Sequence, residues 1–414
     1  MNLYAIVILV ALGLDYLLQL TAKLLNLRAL SDEQPAEAAG LYDAESYRRS
    51  QSYTRMATRF GLVTSTFDLA VLLIFWFAGG FQQLDLWLRG FDLSPILTGL
   101  LFIGILAFGK GILGIPFAVY STFVIEERFG FNRTTVKTFV LDILKALALA
   151  LVIGGPLMAL LLWFFESAGA NAWLFCWLAV TVITIALQLV VPIWILPLFM
   201  KFTPLEEGEL RDRLAAYARS VDFTLSGIFV IDGSRRSSRA NAFFTGIGSN
   251  KRIALFDTLL DKHSPSELEA VLAHEVGHYK HRHILKTMLL SIAHSGVTFY
   301  LLSIFLSHPG LFDAFGMEQA STYSGLVFFG LLYAPVELAL ALFLNYQSRR
   351  NEFEADRYAV DTVEEPEAMA TALQKLATNN LSNLTPHPFH VFLNYSHPPV
   401  LTRLAAIRRA IARG

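Results

Sequence analysis

The stretch from Val271 to His283 reads VLAHEVGHYKHRH and puts four histidines and one glutamate into a chain with ten histidines in all. Their spacing sorts them. His274 and His278 are four residues apart, so on a helix both imidazoles project from one face. Glu275 is the next residue round. In this H-E-x-x-H order the two histidines bind zinc and the glutamate works on water at the metal, which is the chemistry of hydrolysis. His281 and His283 follow among Lys280 and Arg282. Cationic neighbours disfavour a bound cation, so these two are expected to be solvated or interfacial bystanders.

A catalytic zinc takes three protein ligands and keeps one position open. The third ligand must come from elsewhere, and SRRNEFEADRYA (348–359) supplies candidates. If this segment is helical, Glu352 and Asp356 share a face and Glu354 points away. One of the facing pair can bind metal while the other holds a ligand histidine by a hydrogen bond. Spacing alone leaves open which does which.

These residues need elements to hold them. SPSELEAVLAHEVGHYKHRH begins with a helix signal: Ser264 as cap, Pro265 at the first position and Glu267 completing a capping box. Leu268, Val271 and Leu272 give the helix an apolar stripe. Upstream, Leu210, Leu214, Tyr217 and Val221 recur at helical spacing, GIFVID (227–232) has the composition of a strand, and NAFFTGIGSNKRIALF (241–256) predicts a hairpin about a Gly-Ser-Asn turn.

The rest of the chain belongs to a membrane. Of 414 residues 54% are hydrophobic and 16% charged, against about 25% charged in soluble chains. Seven stretches are long and apolar enough to cross a bilayer: about 3–26, 61–80, 95–119, 139–165, 171–200, 285–307 and 322–346. The first lacks the basic start and cleavage site of a signal peptide and is expected to be retained. Basic residues alternate between connections. Arg28, Arg48, Arg49, Arg55 and Arg59 lie between the first two spans, and Arg128, Arg133 and Lys137 between the third and fourth. More follow the fifth and seventh spans, whereas the other connections hold only Arg89. The positive-inside rule then puts the N-terminus outside, in periplasm or lumen, and the C-terminus and both polar regions (about 201–284 and 347–414) in the cytoplasm. A bacterial inner membrane is expected over the endoplasmic reticulum. The expected division is 1–204, a five-span membrane region, and 205–414, a peptidase region that includes spans six and seven.

Composition also excludes. A net charge of −1 gives no basic surface for nucleic acid. The single cysteine, Cys176, forms no internal disulfide and suits a small buried hydrophobe. A retinal protein would carry a Schiff-base lysine in its last span, and 322–346 has none. A transporter leaves the histidine cluster and the two polar regions without a use, while a non-catalytic scaffold stays open as an alternative. Asp15, Asp68, Lys110, Lys145 and Glu337 are charged residues within spans. They are expected to line a wet interior or pair with one another, with Lys145 close enough to a span end to snorkel.

Taken together, HEVGH, SRRNEFEAD, RSSRANAFFTG, KRIALFDTLL and YSHPPVLTRL resemble the type I CaaX prenyl endopeptidases, seven-span zinc metalloproteases related to the HtpX quality-control proteases. The likeness covers nearly the whole chain. It implies a mainly α, polytopic fold whose helices enclose a chamber within the membrane, with a cytoplasmic-side zinc domain containing a small sheet. It implies one zinc ion (Zn2+) held by His274, His278 and Glu352, with Asp356 behind them. Glu275 is then the proton carrier, and His397 a catalytic donor to the oxyanion. Asn241, Ala242 and Arg403 are expected at the substrate, with the strand from Asn241 to Phe244 pairing with it. The partners implied are a peptide or protein substrate, prenylated or membrane-associated, and membrane lipid. Membrane-protein turnover of the HtpX kind is the competing role. One departure stands out: relatives commonly read Ser-His-Ser-Asn-Ala where this chain reads Ser-Arg-Ala-Asn-Ala, with Arg239 in the histidine's place.

Overall fold

The computed structural model describes residues 1–36, 40–245 and 252–413. Seven helices in it are long and apolar enough to span a membrane: Leu3–Ala29, Ala44–Phe77, Pro95–Glu126, Val136–Ser167, Gly169–Phe199, His283–Phe305 and Thr322–Thr362. They are called spans one to seven below. The second begins well before its apolar part, because Asp43 caps a polar stretch that continues it on the basic side. The fourth and fifth contain widened turns at Ala150–Gly154 and Val191–Ile195. Pro156 and Pro197 follow these turns and leave the carbonyls of Val152 and Ile193, four residues earlier, without their usual donor.

Span seven is one continuous helix of 41 residues. At about 1.5 Å per residue it is roughly 60 Å long, twice the hydrocarbon thickness of a bilayer. Arg349 and Arg350 end its apolar part without ending the helix, so the segment 348–359 is helical and continues span seven.

Burial along the spans has a simple pattern. Each span has its buried residues only toward its ends. None is buried over 9–21, 52–75, 103–124, 139–160, 177–199, 284–301 or 334–350. The middles of the spans are thus lightly covered, and neighbouring helices still meet there, as where Trp177 of span five donates to the Ile292 carbonyl of span six at 2.8 Å. An aromatic cluster including Trp76, Phe81, Phe102, Phe315 and Phe328 closes one end. At the other end, Leu255, Leu268, Leu272, Ala359, Leu373 and Leu404 join the polar regions to span seven in a second core. Cys176 is fully buried with its thiol facing the Leu161 carbonyl. Of the charged residues within spans, Lys145 donates to the Leu198 carbonyl and Glu337 lies 3.6 Å from His294, while Asp68 and Lys110 are exposed.

The sheet has four strands in the order β1-β2-β4-β3: β1 Phe202–Pro204, β2 Gly227–Ile231, β3 Ala242–Thr245 and β4 Arg252–Phe256. The β3–β4 pair is antiparallel with Ala242 opposite Leu255, as the hairpin pattern predicts; its Gly-Ser-Asn turn lies outside the described residues. β4 also runs parallel to β2, with Ile228 opposite Ile253, and β1 pairs antiparallel with β2 from just before residue 205. That leaves β3 as an edge strand.

Candidate metal centre

The motif helix runs Pro265–Lys280 and starts as its sequence dictates. Ser264 Oγ accepts from the Glu267 N–H, and Glu267 Oε2 accepts from the Ser264 N–H at 2.8 Å. The helix lies directly against the C-terminal, polar end of span seven. Gly277, the glycine of HEVGH, makes that approach possible: a Cβ there would lie 3.0 Å from Ala355 Cα and 3.1 Å from its carbonyl oxygen. The close crossing brings two sequence segments some 75 residues apart onto one point.

His274 Nε2 and His278 Nε2 face each other at 3.1 Å. Glu352 Oε2 is 3.6 Å from the first and Glu352 Oε1 is 3.4 Å from the second. A tetrahedral ion with ligand bonds of about 2.1 Å separates its ligand atoms by about 3.4 Å, so these three donors fit one zinc-sized ion. All three are held from behind. His274 Nδ1 lies 2.9 Å from Asp356 Oδ1. Arg403 donates to Asp356 through Nε at 2.9 Å and Nη2 at 2.6 Å, and its Nη1 is 2.9 Å from Glu352 Oε2. Glu352, Asp356 and Arg403 are all more than nine-tenths buried. Burial alone would push the Arg403 guanidinium down, but the two carboxylates more than offset it and hold it above its ordinary value.

His278 is also shifted. Burial disfavours its charged form, and the Glu352 carboxylate outweighs that and raises it. Glu275 is half-buried beside this group, and its charge is felt by both His278 and Arg403. His397 comes from the opposite side. Its Nε2 is 3.3 Å from Glu352 Oε1, its Nδ1 is 3.0 Å from Ser396 Oγ, and most of its side chain is open to solvent. The helix Pro388–Asn394 carries that loop and is fastened to span seven, where Asn345 donates to the Leu393 carbonyl at 3.0 Å and Arg349 to that of Val391 at 3.2 Å.

The structure thus brings His274, His278, Glu352, Asp356, His397 and Arg403 together. Arg403 differs from the sequence expectation of a substrate contact. It is buried, and its guanidinium is spent on Asp356 and Glu352. Asn241 and Ala242 stand at the start of the edge strand: Asn241 is exposed, its carbonyl accepts from the Phe256 N–H, and its side chain accepts from the Ala242 N–H. Arg239, in place of the relatives' histidine, turns away from the metal position. It pairs with Glu126 at 2.9 Å and lies over Phe131, tying the approach to β3 to the end of span three. His283 departs from expectation outright. It is buried, and bonds to both His278 and Glu354. Only His281 of the trailing pair is exposed.

Seven membrane-spanning helices, with a His-His-Glu donor set and a glutamate on the motif helix, define a membrane-embedded metallopeptidase. Comparison with known proteins makes the class specific. Residues 23–201 match the family described as CAAX prenyl protease N-terminal, five membrane helices, and residues 204–411 match peptidase family M48. CAAX prenyl protease 1 of Saccharomyces cerevisiae is 34% identical over 391 residues, covering 88% of this chain and 86% of that protein. The human CAAX prenyl protease 1 homolog is 32% identical, covering 90% and 88%. The crystal structure of S. mikatae Ste24p superposes with a TM-score of 0.93 at 31% identity, over 98% of this chain and 99% of the other. The chain belongs to the M48 peptidases of the CaaX prenyl protease type. It is a multi-pass membrane metalloendopeptidase.

Proposed function

We propose that the metal is a single zinc ion held by His274, His278 and Glu352, and that the enzyme cleaves C-terminal peptides of the kind its relatives' names describe, those ending in a prenylated CaaX sequence. The observation that carries this reading is the convergence of three zinc-spaced donors, each supported by a buried partner, at the polar end of span seven; in this reading the spans enclose a hollow that opens toward it. Zinc, when bound, supplies a Lewis acid that polarises the scissile carbonyl and lowers the pKa of water from 15.7 to about 7. Glu275 takes the proton from the attacking water and passes it to the leaving amine, a role typically worth 10²–10⁴-fold. His397 donates from Nε2 to the developing oxyanion. Ser396 donating to Nδ1 would keep the proton on the nitrogen that needs it, and such a donor is typically worth about 2.7–4 kcal/mol.

Asp356 orients His274, and Arg403 keeps the two buried carboxylates charged and apart from one another. The peptide adds to the free edge of β3 beside Asn241 and Ala242, where backbone hydrogen bonds set register without reading side chains. The hollow takes the apolar part of the substrate. The basic loops put this site on the cytoplasmic side, with the N-terminus outside; in a bacterial host that is the inner face of the inner membrane. The functional division falls near residue 204, between a five-span region and a peptidase region.

The test uses the purified full-length protein in detergent. Glu275→Gln should retain one zinc by elemental analysis and lose at least 10²-fold in cleavage of a farnesylated CaaX peptide. Equal cleavage by parent and variant, or no zinc in either, would remove the proposal. Cleavage of unprenylated, unfolded membrane proteins in preference to the farnesyl peptide would move the substrate toward the turnover role.

A further inference from the structure

His283 is the first residue of span six, and its side chain is only 4% exposed. Its Nδ1 is 3.0 Å from His278 Nδ1, and its Nε2 is 3.1 Å from Glu354 Oε2. The two rings stand nearly at right angles, centroids 5.1 Å apart. Proton counting fixes the direction of this chain of contacts. A neutral imidazole carries one proton. If His278 Nε2 keeps its lone pair for the metal, its proton is on Nδ1, which donates to His283 Nδ1. His283 must then carry its own proton on Nε2, which donates to Glu354. The reverse order would put a proton on His278 Nε2, pointing at His274 Nε2, and leave no lone pair for an ion.

We infer that His283, backed by Glu354, is a positioning residue that fixes the tautomer and ring angle of His278. This rests on the zinc reading above. The two ligand imidazoles then reach carboxylates by routes of different length. His274 meets Asp356 directly. Glu354, two residues earlier than Asp356, leaves the helix on another side and reaches His278 through an added imidazole. The backbone places that imidazole: Arg282, between the motif helix and span six, has φ 57, and this left-handed residue reverses the chain so that His283 folds back beneath His278. His281 is exposed and stacks on His283, ring centroids 5.5 Å apart.

The experiment measures zinc affinity of the full-length protein by chelator competition, alongside the thermal midpoint of the zinc-stripped form. His283→Phe keeps a ring and removes both nitrogens; it should weaken zinc binding by about 10–100-fold. His283→Gln offers an acceptor and a donor, and should recover part of that loss. If His283→Phe does not fold, Glu354→Leu, at a more exposed position, carries the test and should weaken zinc severalfold. Parental zinc affinity in a folded His283→Phe or Glu354→Leu protein would overturn the inference. So would a zinc loss accompanied by an equal fall in zinc-free stability, with no recovery by glutamine. His278→Ala and Glu352→Ala serve as reference. If these also keep parental zinc affinity, the zinc reading itself fails; if they lose zinc and the His283 and Glu354 variants do not, only the relay fails.

Discussion

At the end of the bundle away from the metal position, Phe328 lies flat on Phe315, centroids 3.8 Å apart, and Phe81 meets both rings edge-on. At the other end, Arg403 sits buried between Asp356 and Glu352. Both places hold helices together. Their responses to damage should differ in kind. An apolar cluster loses contacts in proportion to the atoms removed. A buried charge network fails when any one part is missing, because the remaining charge is left without a partner.

The largest expected effect is therefore at Arg403. Arg403→Met keeps most of the volume and leaves Asp356 and Glu352 facing each other in a buried space. Breaking such a set from one side costs about 3–5 kcal/mol. The loss should be largest in zinc-stripped protein and smaller with zinc bound, since the ion neutralises part of the charge that the arginine faced. Thermal unfolding in detergent with and without chelator measures both. An equal loss in the two forms would mean that Arg403 serves packing rather than the carboxylates.

Gly277→Ala comes next. The added methyl would meet span seven backbone at 3.0–3.1 Å, and overpacking of this kind costs about 1–3 kcal/mol. The relief available is for the motif helix to move off span seven, which carries His274 and His278 away from Glu352. Zinc affinity should fall along with stability. Stability loss with parental zinc affinity would show that the helix pair can part without opening the donor triangle.

Phe328→Leu probes the apolar end alone. Losing one stacked and two edge-on ring contacts while keeping much of the volume should cost about 1–2 kcal/mol. Zinc affinity and cleavage per folded molecule should stay at parental values. A fall in zinc affinity would show that the far end sets the geometry of the metal end through the spans.

What could be foreseen from sequence follows the same division. The H-E-x-x-H pair and its capped helix are local: Ser264, Glu267, His274 and His278 reveal themselves by spacing within one element. The pairing of Glu352 with Asp356 was legible as a shared face; spacing left open which of them takes the metal, and the family resemblance implied Glu352. Arg403 was not legible in its role, since its contact with Asp356 spans 47 residues and nothing in LTRL indicates a buried guanidinium. His283 was hidden by its neighbours. Lys280 and Arg282 make the segment look solvated, and only the left-handed turn at Arg282 folds the imidazole inward. The β2–β4 pairing escaped because it joins strands that are not consecutive. A chamber within the membrane was expected from the family resemblance alone, and its lining could not be picked out because lipid-facing and cavity-facing positions are equally apolar in a list of residues.

The smallest effect belongs to a charge pair at the rim of the metal end, where Lys375 donates to Glu267 Oε2 at 2.8 Å. Burial pushes the Glu267 carboxyl up, but Lys375 and the Ser264 N–H more than offset this and hold it below its ordinary value of 4.5. A carboxyl depressed in the folded state gives its stabilisation above the unfolded-state pKa and loses it as pH falls through the folded value. Lys375 is about half exposed, so screening limits the gain to roughly 0.5 kcal/mol. Glu267→Gln keeps an acceptor for the capping box and removes the charge. It should be slightly less stable than the parent near neutral pH, and the gap should close as pH drops below about 4.5, the ordinary carboxylate range. Thermal midpoints of the two proteins across that range measure it. A gap that persists into acid would assign the effect to the cap's geometry, and would leave Arg403 as the charged contact on which this end of the molecule depends.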